Sequence, residues 1–141
     1  MPGNAENEKQ ILFNSIRLMI CVGHADGYMG EKEIGRVYRM VESERFTLRE
    51  RQVLMDDIDN PKRPDQLVQD MADLTRTEKL RLLRQLYHVA VADRKITPAE
   101  QQEIRRIAGL LGIEQDKLQQ VEDWILEGID WKERWQKIVG E

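Results

Sequence analysis

The chain has little of what most often announces a function. Its single cysteine, Cys21, excludes an intrachain disulfide framework and a cysteine-rich zinc site, and suits a reducing compartment. No apolar run approaches the roughly 20 residues of a membrane-spanning helix, and the opening MPGNAENEKQ lacks the basic-then-apolar order of a secretory signal. Positive charge is not in excess. With 22 Lys+Arg against 26 Asp+Glu the net charge is −4, which leaves nothing to spend on phosphates and argues against a nucleic-acid partner. H-E-x-x-H, G-x-S-x-G, P-loop and G-x-G-x-x-G motifs are all missing, and one cysteine without a fixed histidine partner is weak ground for a nucleophile. The expectation is a cytoplasmic protein that is not an enzyme and has no catalytic residues.

What is present is a helical pattern. A 141-residue chain with 40% hydrophobic residues is long enough for one ordinary core, and one domain is the default. Apolar residues recur at three- and four-residue steps, as in Ile11, Ile16, Met19, Ile20 and again in Ile34, Val37, Met40, Val41, without β-type alternation. The spacing predicts an all-α fold. Thr47-Leu48-Arg49-Glu50 and Thr97-Pro98-Ala99-Glu100 are capping boxes that start helices, the second with proline at the first helical position. Asn60-Pro61-Lys62-Arg63-Pro64 cannot continue a helix and must connect two. Helices are expected near 6–24, 31–45, 48–59, 64–74, 77–92, 98–111, 115–127 and 130–139.

Laid over itself with a shift of 67 residues, the sequence pairs HADGYMGEKEIGRVYRM with VADRKITPAEQQEIRRI. Val22/Val89, Ala25/Ala92, Asp26/Asp93, Glu33/Glu100 and Arg39/Arg106 are identical, while Ile16/Leu83, Met29/Ile96 and Val37/Ile104 stay apolar. The register continues without a gap through Phe46/Ile113, Leu54/Val121 and Ile58/Ile125. This reads as an internal repeat of three-helix units, about 8–59 and 77–127, joined by a linker helix at 64–74 and packed as a pseudo-twofold pair. The expected architecture is a compact single-domain bundle of seven to eight helices, the domain covering 1–127 and a helical, tryptophan-containing tail at 128–141 packing on it.

Each copy ends a long helix with an aspartate and places a glutamate seven positions later, in the first turn of the next helix. Two readings stand side by side. In one, Asp26 and Asp93 make turns and Glu33 and Glu100 sit at N3, where a carboxylate meets free backbone N–H groups and the positive end of the helix dipole. In the other, Asp26, Glu33, Asp93 and Glu100 converge. Carboxylates about 5 Å apart at an effective dielectric near 20 repel by roughly 3 kcal/mol, so four need a cation, shared protons or an arginine such as Arg39, Arg94 or Arg106. All-oxygen ligands favour Ca²⁺ or Mg²⁺, with Zn²⁺ and Mn²⁺ open. An EF-hand is excluded, because the twelfth loop position counted from Asp26 is Val37 and from Asp93 is Ile104. His24 and His88 do not occupy equivalent positions and read as packed or helix-end histidines rather than ligands or bases.

Ala25-Asp26-Gly27 with Glu33, and Ala92-Asp93 with Glu100 followed by Ile104 to Gly112-Ile113, resemble the TerB family of tellurite-resistance-associated helical domains over most of residues 8–127. The resemblance implies a small bacterial stress-response domain of internally related helical halves. It also implies a divalent metal ion held by acidic residues, which here would be Asp26, Glu33, Asp93 and Glu100. The second copy departs from the pattern in having Arg94 where the family's turn has glycine, which sets a cation beside the proposed site. The alternative implied function is a metal-free scaffold for a protein partner.

Trp124, Trp131 and Trp135 would share one stripe of a continuous helix with Ile138, while Gly128 and Asp130 suggest a turn between the first two indoles. The tail is therefore expected to bend and fold its indoles onto the core, with Trp131 and Trp135 as the partner-binding alternative and a homodimer left open. Met19, Met29, Met40, Met55 and Met71 read as core packing, and Arg49-Glu50-Arg51 and Asp56-Asp57 as solvated helix surface.

Overall fold

The computed structural model describes residues 3–25, 27, 29–43, 46–91 and 96–140. Seven α-helices are found among them: α1 (Gly3–Gly23), α2 (Glu31–Ser43), α3 (Leu48–Asp59), α4 (Pro64–Gln69), α5 (Arg76–Ala90), α6 (Pro98–Leu110) and α7 (Gln115–Val139). The fold is all-α, as the three- and four-residue apolar spacing requires.

The two longest apolar stretches form the centre. From α1 come Ile16, Leu18, Met19, Ile20 and Val22, and from α5 Leu82, Leu83, Leu86, Tyr87 and Ala90, all essentially buried. These helices pack on each other, and the rest surround them: α2, α3, α4 and α6 against α1, and α2, α6 and α7 against α5. A helix apolar on most of its circumference must be enclosed in this way. Helix limits fall in one 67-residue register: α1 and α5 end at 23 and 90, α2 and α6 span 31–43 and 98–110, and α3 and α7 begin at 48 and 115.

Local chemistry accounts for the helix ends. Thr47 and Thr97 each accept the N–H of the glutamate three residues on, and Glu50 and Glu100 each accept the threonine N–H in return. Thr75 and Glu78 make a third such box at the start of α5, from the same T-x-x-E signal. Gly112, at φ +76°, supplies the left-handed residue that closes α6, with Ile113 N–H reaching back to Ala108 O at 3.0 Å.

Three expectations need correction. The linker helix stops at Gln69, not 74, and the chain continues in turns to Leu74. Asp57 is not solvated: it is 1% exposed and accepts Arg17 Nε–H at 2.6 Å, tying α3 to α1. The expected bend at Gly128 is absent, because α7 runs unbroken for 25 residues. A glycine inside a helix costs only about 1 kcal/mol relative to alanine, too little to stop a helix whose neighbouring turns are well formed.

Candidate functional site

The acidic corners lie where α1 meets α2 and where α5 meets α6. Asp26 and Asp93 fall outside the described residues, so the structure reports on the glutamates. Both sit at N3 of their helices, as the spacing predicts: Gly30 precedes α2, and its carbonyl accepts the Ile34 N–H at 3.0 Å, while Thr97 caps α6.

The surroundings of Glu100 are not those of an ordinary cap. Glu50 and Glu78 occupy the same position in their own boxes but remain partly open to solvent, and Glu50 pairs with Lys9 at 2.9 Å. Glu100 is 3% exposed. Glu33 is half-buried, and its Oε2 lies 3.0 Å from the point a Cβ on Gly23 would occupy, with Met29 filling the same space. A glycine at the end of α1 therefore admits the carboxylate against that helix end. The matching position on α5 is Ala90, also small and 2% exposed. Gly27, at φ +109°, takes a left-handed conformation in the first corner and donates its N–H to His24 O at 2.9 Å. Among the described residues no three His, Cys, Asp or Glu side chains group as a metal cluster, but that set includes only one acid from each corner.

The histidines take structural roles or none. His24 Nε2 lies 2.7 Å from Ile58 O, so its N–H ties the end of α1 to the end of α3. His88, exposed near the end of α5, is held below its ordinary pKa by partial burial and by the cations Arg36, Arg84 and Lys132. Cys21 donates its S–H to Lys62 O at 3.0 Å. Burial, then the charges of Asp57 and Glu103, push its thiol up to about 12, which leaves no thiolate at neutral pH.

A polar cluster that sequence reasoning missed lies where α7 meets α5 and α6. Glu122, 3% exposed, accepts Tyr87 O–H at 2.6 Å, Gln101 Nε2–H at 2.7 Å, and Arg105 through both Nε (3.1 Å) and Nη2 (2.6 Å). Burial alone would raise the Glu122 carboxyl, but the hydrogen bonds from Arg105, Tyr87 and Gln101 outweigh it and hold the group below the usual carboxylate range. Tyr87 moves the opposite way: burial and the adjacent carboxylate raise its phenol well above the ordinary value. Three side chains converge on one anion, so the cluster anchors α7 to α5 and α6.

Beyond that anchor the indoles do not fold back. Trp124, Trp131 and Trp135 are 57%, 71% and 61% exposed and Ile138 75%. The expected cover of the core by the tail is thereby corrected: an unbroken α7 carries its second half past the surface it would have to reach.

The family model described as tellurite resistance protein TerB matches residues 12–123, 112 of the 141 in the chain. No curated protein and no solved structure matches the chain closely enough to add a further finding. The match spans α1 to the first third of α7, and so takes in both acidic corners and the Glu122 anchor.

Proposed function

Because the chain belongs to the TerB family, we propose that it acts as a non-catalytic binding module of a stress response. In this reading its two acidic corners hold a divalent cation, and it signals to a protein partner. The observation that carries this is the burial of Glu100. Capping a helix does not require a carboxylate to leave solvent, as Glu50 and Glu78 demonstrate in the same box, so the enclosure of Glu100 at its corner goes beyond what a cap needs. Glu33 supports the same reading, since Gly23 gives its carboxylate room at the C-terminal end of α1, the negative end of that helix dipole.

The donor set fits a hard ion. Asp26 and Glu33 in the first corner, and Asp93 and Glu100 in the second, offer carboxylate oxygens suited to Ca²⁺ or Mg²⁺, with Mn²⁺ and Zn²⁺ also compatible. A bound cation would supply positive charge that offsets the mutual repulsion of these acids. No helix among the described residues is long and apolar enough to cross a membrane.

Thermal unfolding of chelator-treated protein, repeated with each of the four ions, tests the proposal. An ion at about 100 times its dissociation constant adds roughly 2.7 kcal/mol of stability, and Asp26→Asn or Asp93→Asn should remove most of that gain. If no ion moves the transition, the acids serve only as caps. The metal-free scaffold reading would then stand, which is favoured by the hydrogen bond from Thr97 N–H that Glu100 already accepts.

A further inference from the structure

The exposed stripe of α7 has an internal order that the count of its tryptophans does not convey. Val121, Trp124, Gly128, Trp131, Trp135 and Ile138 follow one another at steps of 3, 4, 3, 4 and 3 residues, the spacing of a coiled-coil seam. At about 100° per residue the seam lies roughly 120° round the helix from Leu118, Glu122, Ile125 and Ile129, which face the body. One helix thus carries two separate faces: the second is open at Trp124, Trp131, Trp135 and Ile138, while Val121 at its start is half-buried against the core.

We propose that this second face pairs with itself: α7 of one chain lies antiparallel against α7 of a second copy, centred between Gly128 and Trp131. In that register every seam position meets another. Val121 faces Ile138 of the partner subunit, Trp124 faces Trp135 of the partner subunit, and Gly128 faces Trp131 of the partner subunit. The last pair sets the residue without a side chain against an indole, and a Cβ on Gly128 would meet nothing within 4 Å in the single chain. The same register brings Glu127 beside Arg134 of the partner subunit, twice by symmetry. Both residues are exposed, and within its own chain Arg134 pairs with Asp130 at 4.0 Å. Shifting the antiparallel helices by one heptad would set Arg134 against its own copy and leave part of the seam uncovered. A parallel pair would stack Trp131 on Trp131 and Gly128 on Gly128.

Area supports a second copy as the occupant. At up to ~250 Å² per indole, the exposures of Trp124, Trp131 and Trp135 leave on the order of 450 Å² of indole surface per chain. Two copies together approach the ~1,000 Å² that a specific interface needs, before Ile138 is counted.

Sedimentation equilibrium of the full chain tests the assignment. A concentration-dependent dimer is expected, and Trp131→Asp should give a monomer with unchanged far-ultraviolet circular dichroism. Glu127→Arg and Arg134→Glu should each weaken the dimer about tenfold, since two facing pairs become repulsive, and the double exchange should restore it. A wild-type monomer at all concentrations would overturn the proposal, and so would a monomer that instead binds phosphatidylglycerol vesicles through the indoles. A dimer that the double exchange fails to restore would overturn the antiparallel register, because a parallel pair would match Glu127 with Lys132.

Discussion

The two halves of α7 are built from similar residues and meet opposite fates. From Gln115 to Ile129 the helix is held by the body: Ile125 is 7% exposed, and Glu122 collects four hydrogen bonds from α5 and α6. From Asp130 onward every described residue except Gln136 is exposed, including two tryptophans and an isoleucine. The apolar residues of the second half are no less suited to burial. What differs is that the first half carries a buried anion with three partners waiting, which fixes the direction of the helix and takes the second half away from the core. The polar anchor and the apolar contacts of Leu118, Val121, Ile125 and Ile129 lie in the first half alone.

The contrast breaks most visibly at the anchor. Glu122→Leu removes the acceptor that Tyr87 shares with Gln101 and Arg105. Breaking a buried pair costs about 3–5 kcal/mol, and the lower end is expected here because the Arg105 side chain is 47% exposed and can rehydrate. A loss of about 3 kcal/mol in urea unfolding is the expected result, and a change below about 1 kcal/mol would show that apolar packing, not Glu122, orients the helix. Protonation should do part of the same work. In the unfolded chain the Glu122 carboxyl returns to its ordinary value near 4.3, while in the folded chain it is held lower. Its contribution is therefore complete above that unfolded value and is lost as pH falls through the depressed folded one. Stability measured from pH 6 down to pH 3 should decline less steeply in Glu122→Gln than in the wild type.

The anchor also marks the limit of what the sequence discloses. Helix starts at Thr47 and Thr97 and the all-α class were legible, because they rest on spacings of three or four residues. Glu122 and Asp57 were not. The partners of Glu122 lie 17 to 35 positions away in the chain and that of Asp57 lies 40 away, and a charged residue on a helix looks solvated until a cation or phenol is delivered to it by the fold. Gly128 misled for a related reason: glycine signals a helix end only weakly, and the turn on either side outweighed it. At the acidic corners the N3 positions of Glu33 and Glu100 followed from spacing, while the burial of Glu100 depended on how α6 packs against its neighbours.

Gly128 offers a smaller effect of opposite sign. Its position is helical and a Cβ there has open space, so Gly128→Ala should raise the stability of the single chain, by up to about 1 kcal/mol. The same methyl would stand against Trp131 of the partner subunit in the paired α7 helices. The variant should therefore unfold later in dilute solution yet dimerise less tightly. Gains in both, or losses in both, would mean that Gly128 is not at the centre of the seam.

The smallest expected change lies in the free half itself. Trp131 is 71% exposed, and nothing that holds the body together depends on it. Trp131→Gln, studied dilute enough for the chain to be monomeric, should alter unfolding free energy by no more than about 0.5 kcal/mol, as surface substitutions usually do. Ile125→Ala, only six residues earlier on the same helix, should cost about 2–3 kcal/mol, because it empties a buried site. Two apolar truncations on one helix would then differ severalfold through position alone. Equal losses from the two would mean that the second half of α7 packs against the body in solution, and the division at Ile129 would disappear.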